Sequence, residues 1–484
     1  MTPITPARVA AAGTNNHGTV LTVGMATSPP VSIGPAITTG ATAVVPSRRR
    51  MILVLGAMVA LGPLTIDMYL PALPRIADEL GVSSSVAQLT LTGTLAGLAL
   101  GQLVVGPLSD SLGRRRPLLA GIVLHMLASL LCLVSPDIGM LAIARGLQGV
   151  GAAAAMVVAV AVVGDLFSDS AAATVMSRLM LILGVAPIVA PSLGAAVLLH
   201  ASWHWVFAVL IVLAGGLLAL GALMLPETLP PAHRRPLRVR SIAATYVQLL
   251  ADLRFVVLVL VAALAMSGLF AYISGASFVL QGSHGLDQQS FALVFAAGAI
   301  ALIGATQFNV VLLRRFTPQR LVVWALAAAT VAGAVFVALA FSHAGGLLGF
   351  LLPVWTMLAM LGFVIPNAPA VALSRHHEAA GTAAALLGAA QFGLGAAIAP
   401  VVGLLGNNEI ALSVVMMAGS VRLRVSRPPS CACPRPSGRW PGRHGEPRPE
   451  STGSRYGNRP ANRGVGRNRP RRSATAERLG TGCG

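Results

Sequence analysis

The sequence predicts an all-α membrane protein, and three observations carry that reading. Of its 484 residues, 55% are hydrophobic and 10% charged, with a mean hydropathy of +0.78, too little polar surface to clothe a water-soluble fold of this length. Apolar runs of about 20 residues or more, each long enough for a helix to cross a bilayer with some tilt, recur between residues 51 and 404. Arginine is concentrated in alternate connections between those runs, the pattern left by retention of positive charge on the cytoplasmic side.

The elements follow in order. Residues 1–50 are rich in Thr, Ala, Pro, Ser and Gly with no sustained period, and read as a disordered extension. Arg48-Arg49-Arg50 precedes a run that continues as a full span, so no secretory signal is expected, and Met25 and Met51 are alternative starts. Runs at 51–71, 86–107, 117–136, 138–163, 174–199 and 203–225 make an expected N-terminal bundle of six helices over 51–225. Residues 226–253 form a linker with Pro230-Pro231, several arginines and an amphipathic Tyr246-Val-Gln-Leu-Leu250 stretch. Runs at 254–281, 289–313, 320–342, 345–373 and 380–404 supply five clear spans of a C-terminal bundle over 254–421, which ends in a stub. Arg114 to Arg116, Arg178, Arg234, Arg235, Arg314, Arg315 and Arg375 fall on one side, which places the N-terminus in the cytoplasm.

Ile410 to Val421 offers only about a dozen apolar residues, too few to cross. Arg422, Arg424 and Arg427 follow, each costing about 2.5 kcal/mol or more at the bilayer centre, so the stub is expected to lie shallowly or stay out of the membrane. Beyond it the composition changes: residues 421–484 hold 15 Arg against 3 acids, a surplus of 12 out of the whole chain's +19. There is no lysine in the chain, which points to a gene rich in G and C. Such a gene read out of frame yields Arg, Pro, Gly, Ser and Cys, so 422–484 reads as a disordered basic tail from a shifted reading frame. The alternative is a native tail that touches anionic lipid head groups.

With the basic surplus in this tail, the net charge does not point to nucleic acid. Cys431, Cys433 and Cys483 lie there too, and Cys-x-Cys lacks the second ligand pair of a zinc site, so neither a metal nor a disulfide is expected. Adjacent residues on a helix point apart, so His376-His377-Glu378 reads as a loop rather than a metal site. A chain without lysine has no phosphate loop ending in Lys-Ser/Thr, and no catalytic constellation stands out. No cofactor and no enzymatic activity are expected.

Charges inside apolar runs carry the functional signal. Asp67 lies in the outer half of the first span, where a carboxylate is expensive to bury and is functional by default, able to take and release a proton as access alternates. A cap at the wet rim is the alternative. Arg145 lies in the outer half of the fourth span and needs a partner or a water-filled cavity; Gln148, three residues on, shares its helical face. A guanidinium snorkelling to the interface is the alternative. In the fifth span, Gly184, Pro187, Pro191 and Gly194 should bend the helix and allow close approach.

Several of these stretches carry a resemblance. Gly106-Pro-Leu-Ser-Asp110-Ser-Leu-Gly113-Arg114-Arg115-Arg116 resembles the loop between spans two and three of the major facilitator superfamily. Leu61-Gly-Pro-Leu-Thr-Ile-Asp67-Met-Tyr69-Leu-Pro71-Ala-Leu-Pro74 closely resembles the first span of its Bcr/CflA group of drug-proton antiporters. Arg145-Gly-Leu-Gln148-Gly149 resembles the fourth-span motif whose arginine serves the proton relay, and Gly184 to Gly194 is similar to the antiporter motif, with Gly194-Ala195 in place of a glycine pair. Phe270 to Gln281 and Gly362 to Ala368 also look like this group. Two departures stand out: Ser277 occupies a position where proline is expected, and Val160 to Asp165 lacks arginines that the group often carries.

The resemblance implies a major facilitator fold of two six-helix bundles, here with the twelfth span truncated or replaced. It implies proton-coupled export of small drug-like molecules across the bacterial inner membrane by alternating access, with the drug, protons and the bilayer as partners and a monomer as the working unit. A sugar or metabolite carrier of the same fold, and a non-transporting remnant, are the alternatives. Asp67 and Arg145 are expected in one proton-coupling network. Gly106, Asp110, Gly113, Arg114 and Asp165 are expected to form a cytoplasmic gate that latches the outward-open state. Tyr69, Gln148, Tyr272, Phe278, Asn367 and Gln391 are the candidate cavity contacts, because aromatic faces and amides hold partly apolar drugs.

Overall fold

The computed structural model describes residues 48–420, apart from residue 235 and residues 375–379. The expected disordered extension up to residue 47, the basic tail from residue 422 and the loop at His376-His377-Glu378 lie outside the described residues. Among those described, eleven helical stretches are long and apolar enough to cross a membrane, and the secondary structure is helical throughout. The extension is shorter than expected at its end, because the first helix already begins at the arginine triplet.

Helix α1 (Arg48–Asp67) stops where Pro71 and Pro74 approach. A short tight turn, Leu70–Ala72, carries the chain into α2 (Leu73–Glu79), which tolerates Pro74 in its first turn because no amide hydrogen is needed there. The return helix α3 (Ser84–Leu112) is started by the Ser83 hydroxyl, which accepts from the amide of Val86. It is ended by Gly113, at φ +93°, a conformation that favours glycine.

Then follow α4 (Arg115–Leu133), α5 (Ile138–Leu166), α6 (Asp169–Leu198) and α7 (His204–Met224). The amphipathic stretch of the linker folds as α8 (Val239–Ala251). After it come α9 (Leu253–Phe278), α10 (Gln288–Leu312), α11 (Pro318–Ser342), α12 (Gly346–Leu373) and α13 (Ala380–Leu404). Asp137, Asp252, Asp287 and Thr317 each cap the start of a span, accepting amide hydrogens that the helix leaves unpaired. We call the end that bears the Gly113–Arg116 turn the arginine-rich face.

The helices pack in two sets. In the first, α5 runs along α3, α4 and α1, while α4 also meets α7 and α1 meets α6. In the second, α12 meets α9, α10 and α11, and α9 meets α13. Two seams join the sets, α3 against α13 and α6 against α10. Between α3 and α5 the approach is of backbone on backbone: a Cβ on Gly93 or Gly97 would overlap the carbonyls of Ala142 or Gly146, and one on Gly149 would overlap that of Thr94. Large apolar side chains such as Leu223, Val212, Ile143 and Leu293 point outward and exposed, as expected where the solvent is lipid.

The C-terminal stub departs from expectation. Helix α14 (Glu409–Gly419) packs against α9 and α11 with Leu412, Val415 and Met416 buried, so the stub is part of the bundle. Gly419 makes this possible, because it rests against Gly268 and the carbonyl of Leu264 where a larger residue could not. The end of α14 also meets α11: the Ser420 carbonyl lies 3.0 Å from the Thr330 hydroxyl, whose single hydrogen it shares with the Leu326 carbonyl at 2.7 Å. Eleven residues rise about 16 Å, roughly half of a hydrocarbon core.

Candidate functional site

A chain of buried polar groups runs through the first set of helices. Arg145 on α5 is fully buried, with Nη1 donating to the Thr65 carbonyl at 2.9 Å and to Gln148 Oε1 at 2.8 Å. Gln148 Nε2 donates to Ser129 Oγ at 2.7 Å, and Ser129 in turn donates to the carbonyl of His125 on its own helix. The Thr65 hydroxyl gives its single hydrogen to the Leu61 carbonyl, so at 2.8 Å it can only accept from His125 Nε2, which fixes the hydrogen on that nitrogen.

No carboxylate within ion-pair distance balances Arg145 among the described residues. Its guanidinium carbon instead lies 4.5 Å from the centre of the Tyr69 ring and 5.9 Å from that of Phe207, where the π-faces offset part of the charge. Its Nε and Nη2 have no hydrogen-bond partner among the described residues. Tyr69 is held by Thr90: the Thr90 hydroxyl donates to the Ala87 carbonyl and so accepts from the tyrosine, at 2.9 Å.

Asp67 is 3% exposed at the end of α1, and it makes neither a hydrogen bond nor an ion pair among the described residues. The expected single network with Arg145 is not what the geometry gives. Arg145 is bound two residues earlier, at Thr65, while Asp67 lies within electrostatic range of Tyr272 on α9. The physical reason is the break in the helix after Asp67, which turns Tyr69 toward Arg145 and leaves the carboxyl outside the chain of bonds. Gly194 on α6 packs directly on the Met68 carbonyl, with no room for a Cβ between them, and so the bent helix presses on the turn that presents Asp67.

The candidate cavity residues separate. Tyr69 and Gln148 belong to the Arg145 group. Tyr272 is buried across the seam, stacked on Phe295 at 5.2 Å with its hydroxyl unpartnered among the described residues. Phe278 is buried where α9 passes into a short π-helical segment, Val279–Ser283. Asn367 uses both amide hydrogens, on Asn309 Oδ1 at 2.7 Å and on the Phe363 carbonyl at 2.8 Å, and so ties α12 to α10 rather than lining a space. Gln391 is half-buried on α13 and joins none of these groups. Gly184 on α6 faces Ile303 of α10, and Pro187 and Pro191 lie within the same helix.

At the arginine-rich face, Arg114 gathers the predicted cluster. Its Nε and Nη2 donate to Asp165 at 2.8 and 3.4 Å, and Nη1 donates to Asp110 at 2.5 Å and to Ser109 Oγ at 2.8 Å. Burial works against the charge, but the bonds and charges of Asp165 and Asp110 outweigh it and hold the guanidinium above its ordinary value. Glu227, just past α7, accepts from the backbone amides of Arg114 and Arg115 at 2.8 and 3.3 Å, a carboxylate at the start of α4. Gly113 packs on that carboxylate and on Arg234, leaving no space for a side chain. Gly106 has open space around it.

The cluster is complete here, and the two sets are also bridged at the opposite face. There Gln88 Nε2 donates to the Ser274 carbonyl at 3.0 Å and Gln289 Nε2 to that of Ala195 at 2.8 Å, each bond linking the two sets. The cluster's bonds run among α3, α4, α5 and the segment after α7, all on one side of the seams, so closing the far end does not break them.

Sequence reasoning missed Thr65, His125, Ser129 and Glu227. His125 was detectable, as a lone ionisable residue inside an apolar run. Glu227 was not, because its role depends on the chain folding back onto a helix start 113 residues earlier.

The comparisons with known proteins bear on this arrangement. The family model of the Major Facilitator Superfamily matches residues 53–400. The chain is 37% identical over 380 residues to an uncharacterized MFS-type transporter, YdgK, of Bacillus subtilis (strain 168), covering 77% of this chain and 93% of that one. It is 31% identical over 381 residues to a bicyclomycin resistance protein homolog of Haemophilus influenzae, covering 77% and 94%. Among solved structures, the Escherichia coli xylose transporter XylE in a partially occluded inward-open conformation superposes with a TM-score of 0.60 at 14% identity, over 77% of this chain and 95% of that one. At that identity the likeness speaks for the fold alone.

Proposed function

Because this chain belongs to the major facilitator superfamily, a family of membrane transporters, we propose that it exports small drug-like molecules across the bacterial inner membrane in exchange for protons. In this reading the N-terminus and the arginine-rich face are cytoplasmic, residues 51–225 and 254–421 are the two bundles that rock about the substrate, and one chain is the working unit. The relative named for bicyclomycin resistance favours drugs as the cargo class. One observation carries the proton coupling: Asp67 is buried beside the seam with no cation to balance it among the described residues, while Arg145 is held apart by other partners. A carboxyl so placed is most stable neutral when access closes, and releases its proton when water or a cationic drug reaches it.

Efflux from inverted membrane vesicles tests this directly, with a fluorescent cationic drug and a pH-sensitive dye read together. The unaltered chain should take up drug against its gradient when the lumen is acidified, and added drug should release protons. Asp67→Asn should insert normally and lose the drug-driven proton release. If the variant keeps both uptake against a gradient and its pH dependence, Asp67 is not the coupling site. A panel that includes sugars separates export of drugs from carriage of metabolites.

A further inference from the structure

Proline leaves the carbonyl four residues before it without a helical donor, and inside a membrane such a carbonyl is satisfied by a neighbouring side chain. This chain does so repeatedly. Pro366 frees the Gly362 carbonyl, which lies 3.0 Å from the Thr306 hydroxyl on α10 and shares its hydrogen with the Leu302 carbonyl. At the end of α7 the Ala222 carbonyl, among the last that a helix leaves open, accepts from Arg115 at 2.5 Å. Both of these bonds lie within one set of helices. Two others cross between sets, one at each face.

At the face opposite the arginines, Pro74 frees the Leu70 carbonyl, which retains only the tight bond from the Leu73 amide. Ser277 on α9, fully buried, donates to it at 2.7 Å. This is the position at which the sequence departs from the expected proline, and a proline there would have no hydrogen to give. At the arginine-rich end of α3, Pro107 frees the Leu103 carbonyl. Tyr246 on α8 donates its hydroxyl to it at 3.2 Å. Helix α8 packs on α9 and α13, so Tyr246 belongs with the second set while Leu103 belongs with the first.

We propose that the freed carbonyls of Leu70 and Leu103 are opposed docking points, and that their occupation by Ser277 and Tyr246 sets the balance between opening at one face and at the other. Both are filled here. Opening the face at Leu70 exchanges the serine donor for water and leaves the Leu73 amide as the carbonyl's remaining protein partner, and opening the arginine-rich face exchanges the tyrosine donor for water at Leu103. Each hydroxyl thus holds its own face shut, with similar chemistry at both ends. The idea rests on the alternating-access reading above.

The test uses the full chain with its cysteines replaced by alanine, and buried reporters Ala87→Cys near the opposite face and Ala383→Cys near the arginine-rich face, labelled with a small maleimide in vesicles. Ser277→Ala should raise labelling at Ala87→Cys about fivefold, as loss of one ordinary hydrogen bond would, and lower it at Ala383→Cys. Tyr246→Phe should do the reverse. Pro107→Ala restores a helical donor to Leu103, so it should reproduce Tyr246→Phe and abolish any further effect of that change. If the two hydroxyl variants leave labelling unchanged or shift it in the same direction, or if Pro107→Ala and Tyr246→Phe add, the proposal is wrong. Proton-driven drug transport by the unaltered chain in the same vesicles judges the exporter reading separately: its absence would sink that reading while the labelling still decides the latches.

Discussion

Gly194 of α6 and the Met68 carbonyl are in backbone-to-backbone contact, closer than any residue with a Cβ could allow. The obstacle is a main-chain oxygen, which cannot swing aside as the tip of a side chain would. Gly194→Ala should therefore push α6 away from the turn that presents Asp67. Overpacking of this kind costs about 1–3 kcal/mol, more than the gain of up to about 1 kcal/mol that alanine brings to a helix. Thermal unfolding of the purified protein in detergent should show a lower midpoint for Gly194→Ala. Gly216→Ala, which meets open space on α7, should match or slightly exceed the unaltered protein.

Arg114 holds two carboxylates of unequal exposure, Asp110 with a side chain 45% exposed and Asp165 with one 17% exposed. The wetter pair contributes little and the drier one more, so Arg114→Ala should cost about 2 kcal/mol in total. The pH dependence has a definite sign. The folded value of Arg114 is raised, so its contribution is complete below the ordinary arginine value and is lost only as pH climbs through the higher folded one. Between about pH 6 and pH 9 the stability difference between Arg114→Ala and the parent should stay constant. A difference that changes steadily over that range would mean that some other titrating group governs the cluster.

His125 acts at one remove from the charge: it orients Thr65, whose carbonyl binds Arg145. His125→Phe should remove about 1 kcal/mol of stability through the lost hydrogen bond, and should reduce transport by loosening Arg145. His125→Gln, whose amide can still donate to Thr65, should recover most of both. Equal transport by the phenylalanine and glutamine variants would show that the histidine only fills space.

Much of the fold was legible in the sequence because lipid imposes a simple rule: each span must be an apolar run of sufficient length with its polar backbone satisfied internally. Helix caps at Ser83, Asp137, Asp287 and Thr317 follow the same local logic. The site was legible only where a charge stood alone in such a run, as with Asp67 and Arg145. Their separation was not, because it depends on how the chain turns after Asp67. Nor was the burial of α14, which rests on the meeting of Gly419 with Gly268, residues 151 positions apart. Contacts such as that of Gln88 with Asn407, 319 positions apart, leave no trace in local pattern.

The glycine-lined contact between α3 and α5 has a mechanical consequence. Side chains interposed between two helices act as springs, since rotamers can yield; two backbones in direct touch cannot. Helix α3 is therefore stiffened along its length, and it carries Gln88 at one end and Leu103 fifteen residues further on, about 22 Å away. On the alternating-access reading proposed above, a tilt of this rod that pulls Gln88 from the Ser274 carbonyl would swing Leu103 in the opposite sense about the glycine fulcrum, and α3 would gear the two mouths to each other.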